Sequence, residues 1–324
     1  MRAIPGFLLL TAALFNLAPT AAQAQAYPVK PVRFIAPFPP GGTSDIIARV
    51  VAQKLTDILG RQVLVDNRGG ASGTIGYDIA ARAPADGYTL LLCSMAGFVT
   101  NQFLYKRLPY DPVKDFAPIS QLATAGQVLA VHPSVAARTV QDLVALAKAK
   151  PGQFTVGSGG IGTTQHIVAE LFQIAMGVKF VHVPYKGGVL AVGDTVAGQI
   201  NMIFADMAPS VPHIKAGRLR ALAVSTEQRS SALPAVPTMA EAGVKEGFPQ
   251  TWWAIAAPRG TPAAILKRLN HEIGQFMTGP DVQERFVSLG LIPLHSTPER
   301  VTELVKKGLV QMAQVVKAAG IQPE

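Results

Sequence analysis

The sequence is short of the groups on which catalytic and metal chemistry depend. Cysteine occurs once in 324 residues, as Cys93, so neither an intramolecular disulfide nor a thiolate metal cage can form. Cys93 ends Thr89-Leu90-Leu91-Leu92-Cys93, a buried-strand pattern in which a thiol acts as a small apolar group. Charged residues make up only 15% of the chain, against about 25% in ordinary soluble domains. Lys and Arg form no runs, although the formal net charge is +9. Dispersed positive charge does not make a nucleic-acid footprint; it fits a mild field that attracts small anions. There is no G-x-S-x-G elbow and no P-loop, and His271-Glu272 is no H-E-x-x-H, because Gln275 stands where the second histidine belongs. The histidines at 132, 166, 182, 213, 271 and 295 are scattered. No catalytic residue, cofactor or metal is expected.

No apolar run reaches the roughly 20 residues needed to span a membrane. Residues 1–26 read instead as a signal peptide. Arg2 makes a basic start, Phe7 to Leu17 is apolar, and Ala22-Gln23-Ala24 or Ala24-Gln25-Ala26 offers an A-x-A cleavage site. No cysteine follows the site to carry a lipid, so an exported, free chain is expected, cleaved after Ala24 or Ala26.

What is present is organised around Pro37-Phe38-Pro39-Pro40-Gly41-Gly42-Thr43-Ser44-Asp45. A short buried strand, Val32–Ala36, precedes it. A helical run with Ile46, Ile47, Val50, Val51, Leu55, Ile58 and Leu59 follows. Gly41-Gly42 permits a sharp turn, and Thr43, Ser44 and Asp45 are N-cap residues. Such a turn aims unpaired N–H groups and hydroxyls at one spot beyond the strand, an anion site. A second copy occurs at Phe154-Thr155-Val156-Gly157-Ser158-Gly159-Gly160-Ile161-Gly162-Thr163-Thr164-Gln165-His166, opening a helix with Ile167, Val168, Leu171, Phe172 and Ala175. Two such turns, far apart in the chain, imply two domains facing one ligand.

The length suits two α/β domains. Strand, loop and helix repeat through Val63–Asp66, the loop Asn67–Thr74, the helix Ile75–Arg82 and the strand Thr89–Cys93, which reads as a parallel sheet under helices. Ligands of such sheets sit beyond the carboxyl ends of the strands, so loops 37–45, 67–74 and 94–101, the last starting at Ser94, share one rim. The pattern pauses at Gln121–Gly126, and Gln127–Val131 opens a second lobe. Trp252–Ala257 is strand-like and three helices follow, packing back on the first lobe. The expected division is residues 27–126 for the first lobe, 127–248 for the second, and 249–324 returning to the first.

Residues 157–162 match G-x-G-x-x-G, but the next strand ends in Pro184-Tyr185-Lys186 rather than the acidic residue that a dinucleotide site requires. His166 lies in the first turn of the second helix, where the helix dipole disfavours a cation, so a neutral capping or core histidine is expected. Asp45 beside Ser44 suits a first-turn carboxylate. Asp206 follows the strand Ile200–Phe204, at a carboxyl end, and is either a solvated loop residue or part of the pocket.

Further segments complete a pattern. They include Tyr27–Arg33, Asp66-Asn67-Arg68, Asp86–Leu90, Leu108–Phe116, Gly162–His166, His182–Gly187 and Leu219–Val224. In this order and spacing the chain resembles the Bug family, periplasmic receptors of tripartite tricarboxylate transporters. The resemblance implies a type II periplasmic-binding-protein fold, with two lobes that each carry a central β-sheet flanked by helices and a ligand in the interlobe cleft. It also implies a monomer in the periplasm that binds a small organic carboxylate and meets integral-membrane transporter subunits transiently. In similar proteins one carboxylate is gripped by both glycine turns, which maps onto Gly41, Gly42, Thr43, Ser44 and Asp45, and onto Gly162, Thr163 and Thr164. Where many relatives have Asp-Asn, this chain has Ala205-Asp206, and the rim from Ser94 is apolar. The ligand's second end, and so its identity, stays open. A sensor with the same lobes, or an enzyme using residues 157–162, are the alternatives.

Overall fold

The computed structural model describes residues 27–245 and 247–319; the leader expected over residues 1–26 lies outside them. Strand–turn–helix units run from the start. The first sheet is fed by β1 (Val32–Ala36), α1 (Thr43–Leu59), β2 (Val63–Asn67), α2 (Thr74–Ala81), β3 (Thr89–Ser94), the short α3 (Met95–Phe98) and β4 (Phe116–Ala125). One face of α1 carries Ile47, Ala48, Val51, Ala52, Leu55 and Leu59, a helical repeat that packs on Phe34 and Leu90 of the sheet. Each large apolar side chain buried this way contributes about 1.5–3 kcal/mol. Gly60, left-handed at φ 66°, ends the helix, its N–H donating to the Thr56 carbonyl.

Gly126 then hands the chain to a second sheet: β5 (Gln127–Val131), α4 (Val140–Ala149), β6 (Thr155–Ser158), α5 (Thr164–Met176), β7 (Val181–Pro184), α6 (Gly188–Val196), β8 (Met202–Asp206), α7 (Met207–Lys215) and β9 (Arg220–Val224). The chain returns as β10 (Thr251–Pro258), α8 (Ala263–Met277), α9 (Pro280–Ser288), β11 (Ile292–Pro293) and α10 (Pro298–Ala319). Leu269, Ile273 and Phe276 of α8 and Val301 and Val305 of α10 are buried with residues of the first sheet.

The strand orders are β11-β4-β10-β3-β1-β2 and β7-β6-β8-β5-β9. The parallel arrangement expected of the first three strands holds, but the sheet as a whole is mixed. β1 runs parallel to β2 and β3, but β10 is antiparallel to β3 and β4. The cause is the second crossing: the chain re-enters the first lobe at the cleft, so β10 has to run away from it. Nor does the pattern pause at 121–126, where β4 continues to Ala125.

This topology builds the cleft. The carboxyl ends of β1 and β3 face those of β6 and β8. The antiparallel partners bring their beginnings to the same edge. Trp253 near the start of β10 pairs with Ser94 at the end of β3, and Gln127 at the start of β5 pairs with Asp206 at the end of β8.

Candidate ligand-binding site

The first turn is held by α1 itself. Gly41 takes the left-handed φ of 81°, and Gly42, not Thr43, is the N-cap, without a side-chain cap bond. Asp45 reaches back instead: its Oδ2 accepts from the Gly41 N–H at 2.9 Å and from Arg49 Nε at 2.9 Å. Burial raises the Asp45 carboxyl, but the bonds from Arg49, Gly41 and Asn67 outweigh it and hold Asp45 below the usual carboxylate range. The Asn67 side chain donates to the Phe38 carbonyl at 3.1 Å and pins the loop from β2. Ser44 Oγ accepts from Trp253 Nε1 at 3.1 Å, which leaves the Ser44 hydroxyl proton to be donated elsewhere.

The second turn is built the same way from α5. Gln165 Oε1 accepts from the Gly159 N–H at 2.6 Å, and His166 Nδ1 accepts from the Gly162 N–H at 3.1 Å. Accepting at Nδ1 makes His166 a neutral imidazole with its proton on Nε2, which faces Glu170 at 3.8 Å. The His166 ring stacks on His182 at 4.2 Å between centroids, and His182 Nε2 is 2.7 Å from Ser158 Oγ. Burial and the neighbouring His182 pull His166 down to about 4.

A histidine depressed in the folded state stabilises fully above its unfolded value, near 6.5, and loses that contribution as pH falls towards the folded value. At about 1.4 kcal/mol per unit, roughly 2 kcal/mol should be lost by about pH 5. Urea unfolding at about pH 7 and pH 5 checks this. His166→Gln should flatten the difference, and an unchanged slope would assign it to other groups.

Between the turns lies a cavity of about 60 Å³. A water needs about 10–15 Å³ on this measure, so the space is on the scale of a short organic acid. Five helices start at its wall: Thr43 and Ser44 of α1, Ser94 just before the four-residue α3, Thr164 of α5, Gly188 of α6, and Asp206 just before α7. Their first-turn N–H groups lack intrahelical acceptors and carry the positive ends of the helix dipoles. No Lys, Arg or His lines the cavity among the described residues. An anion here is met by amides and hydroxyls rather than by a cation.

The two lobes touch around this space. Thr43 Oγ1 donates to Asp206 Oδ2 at 3.0 Å, and Ser72 Oγ donates to the Ile161 carbonyl at 2.8 Å. Gln127, where the chain first crosses, donates from Nε2 to Asp206 Oδ1 at 2.8 Å and lies 3.1 Å from Thr251 Oγ1, beside the second crossing. Burial pushes the Asp206 carboxyl up, against hydrogen bonds from Gln127, Thr43 and Gln165.

The sequence pattern defining the Tripartite tricarboxylate transporter family receptor matches residues 47–321. The chain belongs to this receptor family. Protein BugT of Bordetella pertussis is 37% identical over 321 residues, covering 99% of this chain and 97% of BugT. Among solved structures, R. palustris Rpa4515 with adipate is similar at a TM-score of 0.90 and 34% identity, covering 92% of this chain and 100% of that one. MatC from Rhodopseudomonas palustris with bound malate is similar at 0.84 and 26% identity, covering 90% and 100%. The family consists of solute-binding receptors, and a further structural relative at 32% identity is the periplasmic binding protein BugD.

In this receptor the cavity wall includes Gly42, Thr43, Ser44, Thr163, Thr164 and Asp206, together with Ser94. Gly41, Asp45, Gly162 and Ala205 lie outside it. The N–H groups of Gly41 and Gly162 are spent on Asp45 and His166. Asp45 turns away to Arg49, and Ala205 is buried in the core of the second lobe with Val128 and Ile203. The sequence reading missed Gln165, which lies within the Gly162–His166 segment, and Val189, just past the His182–Gly187 segment. It also missed Phe38 and Pro39, which sit in the first turn. Thr251 and Trp253 carried no signal beyond their strand pattern, because only the antiparallel return of β10 brings them to the site.

Proposed function

We propose that this receptor captures one small organic carboxylate between its lobes, residues 27–126 with 249–324 on one side and 127–248 on the other. It then presents that acid to integral-membrane transporter subunits. The observation that carries this reading is the meeting of helix N-termini from both lobes at one cavity whose lining holds no cation. Backbone amides and hydroxyls bind a carboxylate through charge-assisted bonds without holding it as tightly as a buried ion pair, which suits capture and release. The adipate on Rpa4515 and the malate on MatC support the same ligand class. Nothing at the cavity is arranged to activate a nucleophile: Ser44 accepts from an indole, and His166 is engaged by the Gly162 amide. The receptor acts as an exported monomer, its leader removed after Ala24 or Ala26.

The test uses protein prepared from the periplasm. Intact-mass measurement should give a chain that starts at Gln25 or Tyr27, and denaturation should release a small carboxylic acid identifiable by mass spectrometry. A periplasmic chain that retains Met1 would sink the export reading. Release of a nucleotide instead of an acid would sink the carboxylate reading.

A further inference from the structure

Asp206 is the one acidic side chain on the cavity wall, and no cation lines that wall among the described residues. Its oxygens are met by three neutral donors, Thr43 Oγ1 at 3.0 Å, Gln127 Nε2 at 2.8 Å and the Gln165 side chain. These bonds orient the carboxylate without cancelling its charge, and three donors on about four lone-pair sites leave room for one more. Asp206 also precedes the first residue of α7, so that helix end already has its own carboxylate. The start of α6 is covered by Gln165, whose side chain packs against Gly188. α3 has only four residues and a weak dipole, so α1 and α5 are left to take a ligand carboxylate. The remaining wall is mostly apolar, with Phe38, Pro39, Val189 and Pro209, and includes the hydroxyls of Ser94 and Thr251. The far end of a bound acid therefore meets mostly hydrocarbon, a few hydroxyls and one charged acceptor.

We propose that Asp206 makes this receptor select acids with a single carboxylate and a hydrogen-bond donor, a hydroxyl or ammonium, at the other end, over dicarboxylates of the same length. The inference rests on the reading in which the two glycine turns hold the first carboxylate. A donor at the far end satisfies the remaining lone-pair site of Asp206. A second carboxylate there meets a like charge without a counter-ion, which costs affinity.

Calorimetric titration of two matched series tests this: succinate, 4-hydroxybutyrate and 4-aminobutyrate, then adipate, 6-hydroxyhexanoate and 6-aminohexanoate. In the series whose length fits, the hydroxy or amino acid should bind about tenfold or more tightly than the dicarboxylate. Asp206→Asn keeps the shape and replaces the anion with an amide that donates; it should narrow or reverse the order. Thermal unfolding confirms that the variant is folded, and the wild-type ranking stands without it. A dicarboxylate that binds wild type as tightly as both donor acids would overturn the role of Asp206 while leaving carboxylate capture intact. Binding of none of these acids would overturn the two-turn reading itself, and this inference with it.

Discussion

Gly162→Val should weaken ligand binding and lobe closure together. Gly162 sits at φ 76°, and a Cβ there would stand 1.5 Å from Leu104 Cδ1. Leu104 belongs to the first lobe and is 2% exposed, so it has no room to swing away. A side chain at 162 is thus a wedge between the lobes. Overpacking of this kind costs about 1–3 kcal/mol, and the left-handed backbone adds about 1–2 kcal/mol for a residue with a Cβ. Affinity for the native acid should therefore fall on the order of a hundredfold. The ligand-dependent compaction seen by solution scattering should fall with it, because a ligand shifts the lobes only by its preference for the closed state. Leu104→Ala in the same chain should restore part of the affinity, since it removes the steric cost and leaves the backbone cost. Unchanged carboxylate affinity in folded Gly162→Val would instead mark residues 157–162 as a separate site.

That prediction differs in mechanism from the one the sequence supports. By resemblance, Gly162 is one of the residues that grip the ligand carboxylate. In the structure its amide is occupied by His166 and its α-carbon faces the opposite lobe. The glycine is legible because the constraint is local; what it faces is set by closure and is not. The same division runs through the site. The turns at 37–45 and 159–166 were readable because strand, glycines and helix are contiguous. Asp206 was readable as a strand-end carboxylate, but its bonds to Thr43 and Gln127 span 163 and 79 positions. The parallel run of strands ends at β10 for a related reason. A strand's hydrophobic pattern states that it is buried, and not which way it runs. The N-cap assignment failed on chemistry: Asp45, placed three residues beyond Gly42, satisfies the Gly41 amide from within the helix and leaves the cap position to a glycine.

Removing one hydroxyl from each turn should show whether the turns share a ligand. Ser44 keeps its oxygen occupied by Trp253 and has only its proton to give, and Thr164 lines the cavity from the first turn of α5. Ser44→Ala and Thr164→Val preserve backbone and nearly preserve volume. A hydrogen bond to a charged group is worth about 1.5–3 kcal/mol, so each change should weaken the native acid by about ten- to a hundredfold. Ser44→Ala also leaves the Trp253 N–H without its acceptor, so a fall in thermal stability should accompany it, whereas Thr164→Val should show little. The double variant decides the question. If one carboxylate is gripped from both lobes, the first change already forfeits part of the closed population. The second then costs less than it does alone, with a coupling of about 0.5–3 kcal/mol. The combined loss should be about thirty- to a thousandfold, short of the product of the two singles. Strictly multiplicative losses would mean that the turns act independently, and a Thr164→Val receptor with wild-type affinity would remove the second turn from the site.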